Sequence, residues 1–241
     1  MKLLDYPANF YDQALNSHGF VEDFGLFNPA SPPVAWAVNG TTPTILTSVG
    51  NPLSLATSNV DNNTSDLTST RKRFKFADGK PMMFRTVEKF TEATVSGQTN
   101  FVAGFHDQST TVTMVANNGA GLPGSWNGAV FYGVDGDTKL KCAVSGNSVV
   151  QTMTCSTTDA NNRLGADVLL SSASKRKLEI WVKDYKTGVA LVEFFVNGDL
   201  VADFFVSTAS AASLGCGVAV KTGSGNVQTC VVDMVQARQQ W

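Results

Sequence analysis

The sequence is short of charge and has no long apolar run. Only 16% of its 241 residues are charged, and the formal net charge is −2. Nucleic acids and anionic membranes are bound by concentrated positive charge, so this balance argues against both as partners. No stretch approaches the ~20 apolar residues of a membrane helix. Asp5 and Pro7 interrupt the apolar start of the chain, so we expect no secretory signal and synthesis in a cytoplasm.

Residues that carry catalytic or metal chemistry are equally scarce. The two histidines, His18 and His106, stand alone, and no Ser/His/Asp or Cys/His set can be assembled around either. We expect His106 to be a rim residue at a strand end. Asp135-Gly136-Asp137 is interpreted as a hairpin turn, with a calcium loop as the alternative. The sequence therefore predicts no catalytic residue, no cofactor and no metal site.

The four cysteines have no zinc-type spacing, and the register of the predicted strands indicates which of them lie near each other. If residues 223–225 turn the last hairpin, Cys216 and Cys230 stand opposite each other on one face. In a reducing cytoplasm we expect two buried thiols there rather than a bridge. A turn at residues 146–147 would place Cys155 ~13 Å from the position opposite Cys142. These two cysteines are therefore also predicted to be unbridged.

Convincing amphipathic helices are nearly absent, whereas strand patterns are frequent. The clearest is residues 177–206, which form a predicted three-stranded meander with alternating apolar and polar residues. Lys186-Thr187-Gly188 and Asn197-Gly198 are the predicted turns, because glycine and asparagine tolerate the positive φ that tight hairpins need. The predicted core-facing neighbours are Leu178 with Val196, Ile180 with Phe194, and Val182 with Val192. The opposite face is predicted to be half-exposed.

Short strands continue through most of the chain after residue 70. About a dozen, with turn signals between them, predict an all-β, two-sheet antiparallel jelly-roll sandwich over residues 71–241. Besides the meander, the predicted strands are 71–76, 81–93, 99–107, 110–117, 128–134, 139–144, 148–155, 166–171, 215–221 and 226–237.

Residues 1–70 differ in composition from the rest of the chain. One lysine and six acidic residues give them a charge of −5, whereas residues 71–241 carry +3. They hold many prolines and aromatic residues without a clear period, so we predict an extended, irregular N-terminal arm that docks on a partner. The alternatives are that the segment packs on its own jelly roll as extra strands, or that it is a disordered leader. The predicted docking anchors are Tyr6, Phe10, Tyr11, Phe20, Phe24, Phe27 and Trp36.

Several motifs after residue 70 carry a family resemblance. Together they resemble the concanavalin-A-like lectin/glucanase jelly roll, in the version found in tailed-bacteriophage head-decoration and other virion surface proteins. The resemblance is one of pattern and order, and nothing in residues 1–70 takes part in it. The motifs are FVAGF (101–105), NGAVFYGVDGD (127–137), LEIWV (178–182), FFVNGDLVA (194–202) and VDMVQAR (232–238).

Glucanases of this fold use a Glu-x-Asp-x-Glu strand, and the sequence lacks one. The nearest pattern places Glu88 and Glu92 on one face, but ~13 Å apart, beyond the roughly 5–9.5 Å of glycoside hydrolysis. Glu179 and Glu193 fall on adjacent strands of what is predicted to be a solvated face. We therefore expect no enzymatic activity, with a degraded or unusual polysaccharide-active enzyme as the weaker alternative.

The resemblance implies a virion structural protein, namely a capsid decoration or other surface protein of a tailed bacteriophage. It would be assembled in the host cytoplasm and attached through its N-terminal segment. The expected partners are the major capsid protein or another virion protein, together with further copies of the chain on the particle. The alternative is a carbohydrate-binding module of a phage fibre or host-recognition protein. The candidate partner or glycan contacts are Trp126, Trp181, Phe195 and Tyr185, and Trp126 could instead close one end of the sandwich.

Overall fold

The protein is a two-sheet antiparallel sandwich, as predicted. The computed structural model describes residues 17–33, 35–47, 50–92, 99–117, 120–158, 164–172, 174–209, 212–223 and 226–240. Strands make up 58% of the structure, far above the roughly 20–25% of an average globular protein. The strands are β1 (Ser17–Glu22), β2 (Trp36–Gly40), β3 (Thr44–Ile45), β4 (Leu53–Ala56), β5 (Thr64–Ser69), β6 (Met82–Glu92), β7 (Thr99–His106), β8 (Gly128–Gly133), β9 (Lys141–Gly146), β10 (Val149–Thr154), β11 (Ser156–Thr158), β12 (Leu164–Asp167), β13 (Arg176–Lys186), β14 (Val189–Val196), β15 (Asp199–Ser207), β16 (Gly215–Thr222) and β17 (Gln228–Gln240).

Two large sheets enclose the core. The eight-stranded sheet has the order β15-β14-β13-β6-β17-β4-β3, and β1 pairs with the last part of β17. The seven-stranded sheet has the order β10-β9-β8-β7-β16-β5-β2, and β11 and β12 form a small separate ribbon. Phenylalanines from both sheets meet between them; Phe84 and Phe105, for example, lie 5.8 Å apart between ring centroids.

The meander β13–β15 has the predicted register. Leu178 pairs with Val196, Ile180 with Phe194, and Val182 with Val192, and all six side chains are buried in the core. Asn197 and Gly198 have φ values of 56° and 95°, as a tight hairpin with two positive-φ residues requires. The first turn is shorter than predicted, because β13 extends through Lys186 and only Thr187 and Gly188 lie outside the strands.

Two hairpin predictions were wrong. The turn between β9 and β10 is Asn147-Ser148, with φ values of 54° and 61°, so Cys142 faces Met153 and its thiol contacts that of Cys155. The ~13 Å separation predicted for that pair is therefore incorrect, although both thiols are free and buried.

The last two long strands do not form the predicted hairpin. The strand β16 lies between β7 and β5 in the seven-stranded sheet, whereas β17 lies in the other sheet. Cys216 consequently faces Phe105, and Cys230 lies between Leu55 and Phe90. The connection from β16 to β17 crosses between the layers, which a glycine-rich turn in the sequence does not distinguish from a hairpin.

Two further predicted strands have other structures. Residues 110–117 contain a 3₁₀ helix, Thr111–Met114, instead of a strand. In residues 71–76 only Phe74 makes a ladder contact, an isolated bridge to Leu214. Both segments alternate polar and apolar residues, which is why the sequence predicted strands there.

The boundary predicted at residue 70 is wrong for the part of the arm that the structure describes. Residues 17–69 supply β1 to β5, which enter both large sheets. The strand β5 lies inside the seven-stranded sheet, between β16 and β2. The alternative of extra strands on the chain's own jelly roll therefore holds for these residues. Residues 1–16 lie outside the described part of the chain, and their role as an arm stays a prediction.

Candidate functional site

The predicted docking anchors separate into two groups. The side chains of Phe24, Phe27 and Trp36 are buried in the core, so the prediction that these three dock on a partner is wrong. Phe20 is half-buried and packs against the core, and its docking role stays a prediction. Phe20 meets the Trp36 ring at 4.9 Å in an edge-to-face arrangement. Tyr6, Phe10 and Tyr11 lie outside the described residues.

The four predicted partner or glycan contacts lie on two different faces. Trp181 and Phe195 are half-buried on the outer face of the eight-stranded sheet. Tyr185 is 57% exposed nearby and contacts Phe205, with 4.5 Å between the ring centroids. Trp126, by contrast, is only 1% exposed and precedes β8, where its side chain packs against the outer face of the seven-stranded sheet. It can therefore be neither an open sugar platform nor a plug at the end of the sandwich.

Trp126 is buried because a cap covers the outer face of the seven-stranded sheet. We define the cap as residues 107–117 and 120–127, which include the 3₁₀ helix. Beneath it, a second apolar cluster is separate from the main core and consists of Val102, Met114, Val115, Trp126, Val130, Tyr132, Ala143 and Ala219. The part of the outer face beneath the cap is therefore interior, and an opening lies at the margin of the cap.

A buried polar network holds the cap on β5. The Thr68 hydroxyl donates to the Asp66 carboxylate at 2.5 Å and accepts from the Thr111 backbone N–H at 2.7 Å. The other carboxylate oxygen of Asp66 accepts from the Val112 backbone N–H at 2.8 Å. His106 Nε2 lies 3.0 Å from the Thr111 hydroxyl. The side chains of this network are all buried, so the network can fix the cap in place but cannot contact a substrate.

Burial shifts the titration of both ionisable members of this network. It raises the pKa of Asp66 to about 6, against the opposing effect of its hydrogen bonds. It lowers the pKa of His106 to about 4, and nearby Lys72 acts in the same direction. The expectation of a rim histidine is thus wrong, because the His106 side chain is fully buried beneath the cap.

A surface pocket of about 500 Å³ opens at the margin of the cap. That volume lies in the range of small-molecule sites, roughly 300–1,000 Å³. One wall is the glycine-rich part of the cap, and the floor is the outer face of β8, β9 and β10. The lining residues are Gly121, Leu122, Pro123, Gly124, Tyr132, Val134, Lys141, Val150 and Thr152.

The polar groups of this surface pocket converge on its floor. The Lys141 ammonium lies 2.7 Å from a carboxylate oxygen of Asp137, and its hydrogen bond is the main cause of the lowered pKa of Asp137. The Tyr132 hydroxyl is hydrogen-bonded to the Thr152 side chain, and burial raises the pKa of Tyr132. A cation, two hydroxyls and an apolar wall can bind a polar ligand with an apolar face. None of the lining residues was predicted as a site; the GLPG sequence beside the alternating strand β8 was the available signal.

The acidic motifs are occupied by structural contacts. The Asp137 backbone N–H donates to the Val134 carbonyl at 3.1 Å, and Gly136 has φ 90°, as the predicted turn requires. No group of three or more His, Cys, Asp or Glu side chains within the described ranges could hold a metal ion. Glu179 pairs with Arg85 at 2.6 Å, and Glu193 pairs with Lys183.

Glu88 has a different environment from that predicted. Its side chain faces the core and pairs with Arg176, which also donates to the Leu169 and Leu170 carbonyls at 2.6 Å. Burial raises the pKa of Glu88 against the effect of Arg176. The buried Glu88 carboxylate fixes the Arg176 side chain, and Arg176 in turn holds the 169–170 segment against the sandwich.

The comparisons with known proteins give a fold. No protein-family model matches the sequence, and no curated protein sequence gives a significant match. The carbohydrate recognition domain of Emp47p is similar in structure, with a TM-score of 0.57 and 12% identity over 88% of this chain and 91% of that one. Peanut lectin has a TM-score of 0.52 and 14% identity, over 93% and 97% of the two chains. An endo-1,3-beta-glucanase from Streptomyces sioyaensis has 0.54 and 12%, also over 93% and 97%.

The chain has a concanavalin-A-like lectin/glucanase jelly-roll fold. This confirms the fold part of the resemblance in the sequence. At identities this low the similarity concerns the fold alone, since one fold supports many functions. No helix of the described jelly roll is long and apolar enough to cross a membrane.

Proposed function

We propose that the protein is a non-enzymatic carbohydrate-binding protein and that its glycan site is the surface pocket beside the cap. The observation that carries the proposal is the pocket itself, which combines Lys141, Tyr132 and Thr152 with an apolar wall on a lectin-like fold. A sugar offers hydroxyls to such polar groups and C–H surface to such walls. Two of the similar structures are named as a carbohydrate recognition domain and a lectin, which supports a carbohydrate as the ligand of this pocket.

The proposal that the protein is not an enzyme is supported by the state of its carboxylates. Glu179 and Glu193 are engaged in ion pairs on an outer face, and Glu88 is turned into the core. Glycoside hydrolysis needs two carboxyl groups flanking the scissile bond. Incubation with a panel of polysaccharides should therefore release no reducing sugar, and sustained release would refute this part.

A glycan array tests the binding proposal directly. The Lys141→Met variant keeps the length of the side chain but removes its charge, so it should lose about tenfold or more in affinity for the ligands of the wild type. Gly124→Trp should block the pocket mouth, because a side chain at Gly124 meets no atom within 4 Å and projects into open space. Thr91→Trp, on the exposed outer face of the eight-stranded sheet, is the matched control. Equal binding by all four proteins would overturn the assignment of the site.

A second candidate function follows from the motif resemblance. In it the protein is a structural protein on the surface of a tailed-bacteriophage particle, bound to the major capsid protein or another virion protein. The motifs 127–137 and 194–202 favour this function, and a virion surface protein can also bind glycans. Since β1 to β5 belong to the sandwich, attachment would involve residues 1–16, which include Tyr6, Phe10 and Tyr11. Co-purification with intact particles in symmetric copy number is the test, and absence from purified particles would exclude this candidate.

A further inference from the structure

The edge strand β10 is unusual among the strands of this protein. Its sequence, VVQTMT, contains no charge and no proline, and it ends the seven-stranded sheet. Among the described residues its only ladder partner is β9. Proteins usually protect such edges with charged residues, prolines or bulges, because the unpaired backbone groups can recruit another strand.

Exposed apolar side chains are concentrated on this strand. Val149 is 63% exposed, Val150 is 37% exposed and Met153 is 44% exposed. These are three of the eleven large apolar side chains that are exposed among the described residues. Val149 and Met153 share one face of the strand and make a local apolar surface there, which is typical of a contact with another protein, and Val150 lies on the opposite face.

The other long edge is built differently. The strand β15 ends the eight-stranded sheet and carries two carboxylates, Asp199 and Asp203, both on exposed residues. Its Phe205 carbonyl already accepts a hydrogen bond of 2.8 Å from the Gln151 side chain. Charge therefore protects β15, whereas β10 carries no charge, and the Gln151 side chain links the two edge strands.

The sequence of β10 is complementary to itself in antiparallel pairing. In a continuous sheet, residues directly opposite each other have side chains on the same face. A twofold axis at Gln151 places Val149 opposite Met153 of a second copy, and Val150 opposite Thr152. The two most exposed apolar side chains of the strand would then cover each other, and no like charges would meet.

We propose that β10 pairs antiparallel with β10 of a second copy of this chain, with the twofold axis at Gln151. The two seven-stranded sheets then form one continuous sheet across a symmetric dimer. The backbone groups of the edge supply the hydrogen bonds, and the Val149–Met153 pairs supply the apolar contact. We assign the partner as a second copy because antiparallel pairing about Gln151 brings Val149 opposite Met153, and because β10 carries no charge that a different chain would have to neutralise.

This dimer also bears on the surface pocket, in a point that rests on the proposed function. Val150 and Thr152 line the pocket and share one face of β10. In the dimer they lie at the symmetry axis, so the two pockets open on the same side of the continuous sheet. A polysaccharide could then contact both sites and gain avidity without new contacts.

The first test is the molar mass in solution at several concentrations, measured by light scattering after gel filtration. The wild type should be a dimer at high concentration. Met153→Lys should raise the dimer dissociation constant by about tenfold, because it removes two symmetric cross-strand pairs and puts charge on the edge. Val60→Lys, at a residue that is 61% exposed elsewhere, is the control and should leave the dimer intact. A wild type that stays monomeric at all concentrations overturns the proposal.

Cysteine crosslinking tests the register independently. Gln151→Cys places two thiols directly opposite each other across the axis, at a Cα separation of about 4.5–5.5 Å, which a disulfide can span. Val149→Cys leaves the two new thiols ~13 Å apart. Copper phenanthroline should therefore crosslink the first variant only, since the four native thiols are buried. Crosslinking of both variants, or of the second alone, contradicts the register.

Glycan binding separates this proposal from the previous one. Met153 does not line the surface pocket. Met153→Lys should therefore keep the affinity for a monovalent sugar, but it should lose the added avidity for a multivalent glycan, which depends on the dimer. A monomeric wild type that binds glycans contradicts only the dimer, and a dimer that binds no glycan contradicts only the proposed function.

Discussion

The central meander and the five N-terminal strands differ in how far away in the sequence their pairing partners lie. The strands β13, β14 and β15 pair with their neighbours in the chain through two tight turns. The N-terminal strands pair mainly with the other end of the chain: Ser17 faces Gln240, and β5 faces β16. Closing a long loop costs more conformational entropy than closing a hairpin. The difference implies that the meander can form early and that the N-terminal strands complete both sheets late.

The largest effect is expected from removing the N-terminal strands. A chain that starts at Ser69 loses all of β1 to β4, nearly all of β5, and the buried side chains of Leu53, Leu55 and Leu67. Exposed core surface and a missing interior strand should abolish cooperative unfolding, as measured by near-ultraviolet circular dichroism and thermal denaturation. A chain that starts at Ser17 is the control and should fold. Native-like unfolding of the shorter chain would show that β1 to β5 are dispensable.

Matched core substitutions should show in the folding kinetics whether the meander forms before the N-terminal strands. Phe194→Ala in the meander and Trp36→Ala on β2 each remove a buried aromatic ring and should cost about 3–5 kcal/mol of stability. If the meander forms first, Phe194→Ala should mainly slow folding, with a φ-value above about 0.5. Trp36→Ala should mainly speed unfolding, with a value below about 0.3. Stopped-flow folding measures both, and the reverse order would contradict the proposed sequence of events.

The network between β5 and the cap should give a specific pH dependence. His106 has a folded pKa of about 4, below its ordinary value of 6.5, so its contribution to stability is lost as the pH falls from 6.5 to 4. Asp66 has a folded pKa of about 6, above its ordinary 3.8, so acidification over nearly the same range favours the folded state. The two effects oppose each other in the wild type.

Replacing either His106 or Asp66 should reveal the pH dependence that the other residue contributes. His106→Gln should make the free energy of unfolding rise by about 3 kcal/mol, relative to wild type, between pH 6.5 and pH 4. Urea denaturation at several pH values measures this change, and only the slope with pH is used, because the substitution also alters a hydrogen bond. The reciprocal variant, Asp66→Asn, should show a steeper loss of stability in acid. Parallel pH profiles for all three proteins would contradict the assignment.

The smallest effect is expected at the second turn of the meander. Gly198→Val forces a β-branched residue into positive φ and should cost about 1–3 kcal/mol. Asn197→Gly, which keeps the backbone conformation accessible, should change the stability much less. Thermal denaturation compares the two, and an unchanged melting temperature for Gly198→Val would mean that the turn tolerates other geometries.

The same contrast explains which elements could be predicted from sequence. The register of Ile180 against Phe194 was correct because turn chemistry and alternation are local signals. The partners of β16 and β17 were wrong, because residues 223–225 are compatible with a hairpin and with a crossing between sheets. The aromatic residues of the N-terminal region suggested docking anchors, but Phe24 and Trp36 are ordinary core residues whose partners lie far away in the chain.

The candidate site was less accessible to prediction for a related reason. An exposed tryptophan in a loop was the best available signal for sugar binding, but the cap folds Trp126 onto the sheet. The surface pocket arises only when the cap and β8 to β10 come together. Its polar residues, Lys141 and Thr152, have no distinguishing pattern in the sequence.

A nuclear magnetic resonance titration with a glycan selected on the array tests the central claim most directly. The account predicts that the largest chemical-shift changes occur in the surface pocket, at Gly124, Tyr132, Lys141 and Thr152, and that Lys141→Met weakens them. Changes centred instead on Trp181, Phe195 and Tyr185, on the outer face of the other sheet, would contradict the account.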